Sequence, residues 1–216
     1  MPNTSSLPPL NSAYARAAPH PPERSNRTQQ VRDVALSMFV SDGYANVSLR
    51  HLGTRVGVQA GSLYNHLESK QALLFDLIHE HLQGLVETVV HRTRKSTSAP
   101  DKLKIFVRIH LEFQIRQQAS AKLMGLESRS LDDAHKVEVK TLLSQYRGLL
   151  SDIIASGIRS GSFPDQHVPS STDAVLGMLC SVAFWFHEGQ PQSLKQLTQQ
   201  ITIMVNGALC APIRSH

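Results

Sequence analysis

Ser48, Arg50, Gln59, Ala60, Gly61, Ser62, Tyr64, Asn65, His66 and Lys70 crowd into one short stretch of this 216-residue chain. Their chemistry is hydrogen bonding to an anion or a flat polar edge, not bond-making. Arg50 carries a planar guanidinium that can take O6 and N7 of a guanine together. Tyr64 offers a phenol and Lys70 an ammonium, both suited to phosphate oxygens. Lys70 also opens a helix, whose N-terminus adds free N–H groups and a positive dipole end. Between Gln59 and His66 there is no full charge, so base reading there must use amide, hydroxyl and methyl contacts. Ala60 and Gly61 allow close backbone approach.

No catalytic chemistry competes with that reading. The chain has no phosphate-binding glycine loop, nucleophile elbow or paired-carboxylate signal, and we expect no enzyme and no cofactor. Its eleven histidines invite a metal. However, His79 and His81 are two apart, on different helix faces, and His187 lacks a partner at three or four residues. No structural-zinc or metalloprotease spacing is present, and no metal site is expected.

The elements that must position these residues read as helices throughout. Ser48 is a good N-cap, and Leu49, Leu52 and Val56 give the following helix one apolar face. Gly57 stops it. A second short helix spans Gln59 to His66, with Leu63 and Leu67 inward, and Ser69 caps a third. Two short helices across a tight turn make a helix-turn-helix, whose projecting helix fits a DNA major groove. A first helix covers 24–41. A long helix covers 70–95, with Leu73, Leu74, Leu77, Ile78, Leu82, Leu85, Val86 and Val89 inward. Further helices are expected over 100–118, 120–127 and 132–160, ended by Gly161. Phe163-Pro164 begins a loop closing at Pro169, and Ser170 caps a helix running to about His187 that is apolar nearly all round. The last helix spans 193–209. Residues 1–23 hold six of the eleven prolines and read as a disordered arm, in which Arg16 could reach a minor groove.

Composition sets the frame. Hydrophobic residues make up 41%, enough for a core, and the formal charge of +5 suits a polyanionic partner. Residues 24–70 concentrate Arg24, Arg27, Arg32, Arg50, Arg55 and Lys70. No run of 18 or more apolar residues and no signal peptide are seen, so no membrane role and a cytoplasmic location are expected. Cys180 and Cys210 read as buried thiols in a reducing compartment.

Residues 27–95 resemble the DNA-binding domain of TetR-family transcriptional regulators. The resemblance rests on Gly43-Tyr44, the Ser48 cap, Gly57-Val58, Leu63-Tyr64 with His66, and Lys70. Gly53 and Leu67 depart from the family, which usually has Ala and often Phe there. The resemblance implies an all-α fold with a three-helix DNA-binding domain over 24–69 and a connecting helix over 70–95. A ligand-binding and dimerisation domain would cover 96–210. It implies a homodimer packed through residues 172–187 and 193–209, which also carry more apolar surface than one protomer covers. Two recognition helices, about 34–36 Å apart, would then read a palindromic operator. The function implied is a repressor released by a small apolar ligand. Phe106, His110, Phe113, Met124, Tyr146, Leu150, Met178, Val182 and Trp185 are the candidate cavity residues. Gly125-Leu126-Glu127-Ser128-Arg129-Ser130-Leu131 resembles the branch sensing acyl-CoA thioesters, in which Arg129 would meet CoA phosphates; otherwise Glu127 and Arg129 form an internal ion pair. The alternatives are an activator, a regulator of drug-efflux genes sensing a hydrophobic drug, and a small-molecule-binding protein without a DNA role.

Overall fold

The computed structural model describes residues 26–64, 67–187 and 192–210. The expected arm, with Arg16, lies outside them, as does Arg24 at the start of the expected first helix. Among the described residues every regular element is a helix. In chain order these are α1 (Asn26–Ser41), a 3-10 turn (Tyr44–Asn46), α2 (Leu49–Val56), α3 (Ala60–Leu63) and α4 (Lys70–Thr93). They continue with α5 (Ala99–Arg116), α6 (Gln118–Glu127), a 3-10 turn (Ser128–Ser130), α7 (Asp133–Arg159), α8 (Val168–Cys180), α9 (Val182–Trp185) and α10 (Leu194–Cys210). No helix among them is long and apolar enough to cross a membrane.

Side-chain caps set the helix starts. Ser48, Ser69, Ser98 and Asp132 each accept from the N–H three residues on, at 2.9–3.2 Å. Each cap satisfies one donor the helix leaves free. Gly57 ends α2 in the left-handed region (φ 80), and its N–H and that of Val58 return to Gly53.

Two apolar cores divide the molecule, and α4 belongs to both. Leu73, Leu74, Leu77, Ile78 and Leu82 join Val31, Phe39, Leu52, Val56 and Leu63 in one core. That core also takes Leu123 from α6 and Val139 from α7. Leu85 and Val89, further along α4, enter the second core with Leu103, Phe106, Leu150, Val175 and Val205. Each such side chain, fully buried, stabilises by roughly 1.5–3 kcal/mol. A helix of 24 residues, about 36 Å long, thus passes from one core into the other.

Four expectations about the C-terminal helices need correction. Pro169 lies in the first turn of α8, where its missing N–H costs nothing. The cap is accordingly His167, whose Nδ1 accepts from Ser170 N–H at 3.4 Å. The helix expected to reach His187 breaks at Ser181 into α8 and the short α9. On α9, Phe184 and Trp185 are 46% and 43% exposed, so it is not buried all round. Cys210 is exposed and Cys180 half-buried. Gly157 is required by contact: a Cβ there would lie 2.0 Å from Phe163 Cδ2, whose ring is buried against the bare backbone.

Candidate DNA-binding face and effector cavity

The α2–turn–α3 unit presents a polar outer face. Leu52 and Val56 of α2 and Leu63 of α3 are buried, which turns Arg50, Gln59 and Gly61 outward. A Cβ at Gly61 would meet nothing within 4 Å, so this surface is open to a close partner. Ser48 accepts from His51 N–H at 3.1 Å, and its hydroxyl hydrogen remains able to donate. Ser62 is half-buried. The helix is shorter than expected: α3 ends at Leu63, with Tyr64 as its C-cap. Tyr64 is 62% exposed. Asn65 and His66 lie outside the described residues.

Two cations of the basic stretch 24–70 are directed inward. Lys70 Nζ donates to Tyr44 O and Val47 O, both at 2.7 Å, and sits 4.1 Å over the Tyr44 ring. The ammonium bonds one carbonyl of the 3-10 turn and that of Val47 after it, and holds α4 to the segment preceding Ser48. Two of the three donors of Lys70, expected among the best phosphate binders, are thus used within the protein. Arg32 is 6% exposed and bonds Glu80 at 2.6 Å and Asp76 at 3.4 Å, both on α4. It ties α1 to α4 instead of adding to a basic surface. Arg50 and Arg55 are exposed.

The segment after α6 reaches back to the same place. Glu127 Oε1 accepts from Tyr44 N–H at 3.1 Å, and Oε2 from Ser130 Oγ at 2.7 Å. The expected Glu127–Arg129 pair is thereby replaced. Gln71 on α4 donates to Ser130 O at 2.8 Å and accepts from Asp132 N–H at 3.3 Å. Tyr44 is thus held from two sides, by Lys70 of α4 and Glu127 of α6. Burial, then the charges of Asp132 and Glu127, push its phenol pKa up.

Where the two cores meet lies a cavity of about 190 Å³, walled by Leu82, Leu85, His110, Met124, Leu143, Tyr146, Arg147, Leu176 and Cys180. Of the expected cavity residues, it brings together His110, Met124 and Tyr146. Phe106, Phe113, Leu150 and Val182 are at most 2% exposed and serve as core behind it. Phe106 stacks on Tyr146 with centroids 5.0 Å apart. Met178 packs against that core. Trp185 faces outward, its indole N–H donating to Ser181 Oγ at 3.2 Å. Arg129 is exposed on the second 3-10 turn, away from the cavity wall. Arg147 is the cation that lines the cavity, and sequence reasoning missed it. It donates from Nε and Nη2 to the two carboxylate oxygens of Asp173, at 2.7 and 3.0 Å. Its place directly after Tyr146 was the available signal, but an arginine on a long helix reads as solvated. Leu82 and Leu85 carried the signal as inward residues of α4. Among the described residues no three metal-ligating side chains cluster.

Comparison with known proteins matches both parts of the chain. Residues 31–77 match the family model for bacterial regulatory proteins of the tetR family, and residues 96–209 that for the tetracyclin repressor-like C-terminal domain. The HTH-type transcriptional repressor KstR2 of Mycolicibacterium smegmatis is 25% identical over 191 residues, covering 88% of this chain and 93% of the relative. The structure of the ketosteroid transcriptional regulator KstR2 of Mycobacterium tuberculosis superposes with a TM-score of 0.82 at 21% identity, covering 91% of this chain and all of that one. AibR in complex with isovaleryl coenzyme A and operator DNA gives a TM-score of 0.72 at 17% identity, covering 87% of this chain and all of that one.

Proposed function

Because this chain belongs to the tetR family of bacterial regulatory proteins, we propose that it works as a dimeric repressor whose grip on a palindromic operator is released by an apolar effector, an acyl thioester by preference. A DNA-binding regulator of transcription is what the family provides. The finer reading rests on one observation. On α6, Met124 lines the cavity, and Glu127, three residues on, holds the N–H of Tyr44 beside the helix-turn-helix. The other wall, Leu82 and Leu85, belongs to α4, whose first residue holds the carbonyls of Tyr44 and Val47. A ligand that widens the cavity moves α4 and α6, and both lead into the segment that orients α2 and α3. The ligand shifts the equilibrium only by its difference in affinity for the two arrangements.

Arg50, Tyr64 and Ser48 supply the outer contacts, with Gln59, Ala60, Gly61 and Ser62 between them. Asn65, His66 and the N-terminal end of α4 complete the reading taken from the family resemblance. Dimerisation through α8 and α10 is supported by what they leave open: Ile203 and Met204 are 63% and 61% exposed, and Gly177 and Gly207 have open space in front of them. An acyl thioester is favoured because AibR was solved with isovaleryl coenzyme A and operator DNA.

The test is a gel-shift titration of the purified chain on the DNA upstream of its own gene. Acyl-CoAs should weaken binding, and Arg50→Ala should lower affinity and relax the base preference at one position, by about 1–3 kcal/mol. If no acyl-CoA changes the affinity, the effector reading falls. If a hydrophobic drug does so instead, the efflux reading replaces it.

A further inference from the structure

Where α4, α5 and α7 meet, the second core holds a buried polar layer: His81, His110, Gln114 and Tyr146, each at most 4% exposed. Gln114 Nε2 lies 3.1 Å from His110 Nε2. With the Gln114 amide turned this way its nitrogen has only hydrogens to offer, and in that arrangement the imidazole Nε2 accepts. Burial, with His81 nearby as the lesser cause, holds the His110 pKa down to about 3, so the ring is neutral and carries one proton. That proton is then on Nδ1, which donates to Tyr146 Oη at 2.7 Å. The Tyr146 hydroxyl hydrogen is left over. Tyr146 and His110 both line the cavity beside Cys180, whose sulfur is at best a weak acceptor for that hydrogen. Gln114 Oε1 and His81 Nε2, in the same layer, are buried without a partner among the described residues. Buried polar groups are seldom left so, and each one calls for an explanation.

We propose that Tyr146 is the specificity-determining donor of the cavity, and that it takes an uncharged carbonyl oxygen on an otherwise apolar effector. This rests on the effector reading above and deepens it: in an acyl thioester, the atom read is the thioester carbonyl. The charges around the cavity favour a neutral group. His110 carries none. The Arg147 guanidinium is matched by both oxygens of Asp173, so a ligand carboxylate would find no free cation in that pair. Leu82, Leu85, Met124, Leu143 and Leu176 offer only apolar surface, and the Cys180 thiol, its pKa raised by burial, adds no charge. A ligand of the same shape without the carbonyl leaves the phenol unpaired and gains one hydrogen bond less.

Octanoyl-CoA and its thioether S-octyl-CoA differ only at that carbonyl. Calorimetric titration of the full chain should show the thioester bound roughly tenfold more tightly, the fold-change of one hydrogen bond in a buried site. In Tyr146→Phe the preference should shrink to within about twofold, with S-octyl-CoA affinity unchanged. A second pair, 2-octanone and octane, separates the sources. A preference there as well shows that any carbonyl suffices, whereas a preference confined to the CoA pair assigns the thioester. Equal binding within both pairs, or a preference that survives Tyr146→Phe, overturns the assignment and leaves the effector reading standing. Binding of none of the four overturns both. Nitrogen-15 spectra of the free protein give a readout independent of any ligand. His110 should be neutral at pH 5 with its proton on Nδ1, and a proton on Nε2 refutes the assignment.

Discussion

Replacing Lys70 by Met keeps the length of the side chain and removes its ammonium. That change separates two roles that look alike in sequence. The ammonium donates to Tyr44 O and Val47 O at 2.7 Å and lies 4.1 Å over the Tyr44 ring. A hydrogen bond to a charged group contributes about 1.5–3 kcal/mol. Lys70 is only half-buried, so the lower end of that range applies to each bond. Losing both should cost about 2–3 kcal/mol, allowing for water replacing part of the interaction. For a chain of this size that lowers the melting temperature by roughly 4–12 °C. Operator affinity should fall as well, because the segment before Ser48 loses its anchor, but by the same factor at every salt concentration. A residue touching phosphate behaves differently: removing it lowers the slope of log K against log salt by about 0.9. The assay is thermal unfolding beside operator titrations at several salt concentrations. An unchanged melting temperature with a slope reduced by about 0.9 would refute the positioning role.

Two further outcomes are expected. Burial drives the His110 pKa from 6.5 in the ordinary state to about 3 in the fold, and that of His81 down as well. A histidine with a lowered folded pKa stabilises above its unfolded pKa, and that stability drains as pH falls from about 6.5 toward the folded value. By pH 5 His110 alone should have cost about 2 kcal/mol relative to pH 8, and His110→Leu should flatten that part of the melting profile. A profile equally steep in the variant would remove His110 as the cause. Ile203→Glu combined with Met204→Glu places two charges on the open face of α10 without touching the core. Sedimentation should then report a monomer and operator affinity should drop at least about tenfold, since a single recognition helix binds weakly. An intact dimer would move the interface elsewhere.

Local signals read well because the interactions behind them are local. Apolar residues at helical spacing, the caps at Ser48 and Ser69, and Gly57 in a left-handed turn act within a few residues, so the all-helical course and the α2–turn–α3 unit were legible in the chain. Arg50, Gln59 and Tyr64 could be placed outward because Leu52, Val56 and Leu63 must turn inward. Boundaries failed where two local signals competed. Pro169 suits a loop or a first helical turn equally, and packing of α8 chose the latter.

What the sequence determined by itself is the helix-turn-helix, the helical bundle behind it and the family to which both belong. The direction of long flexible side chains was decided only by tertiary structure. Lys70 and Arg32 read as surface cations, yet the nearest unsatisfied carbonyls and carboxylates lie on other elements, and desolvated polar groups must be met by whatever the fold brings close. The cavity followed the same rule. Phe106 and Trp185 sit at helical spacing like any apolar residue, but one became core and the other exposed. Arg147, unremarked in the chain, lines the cavity because Asp173 stands across from it on another helix. A cavity is the space several helices fail to fill together, and no single helix's pattern encodes it.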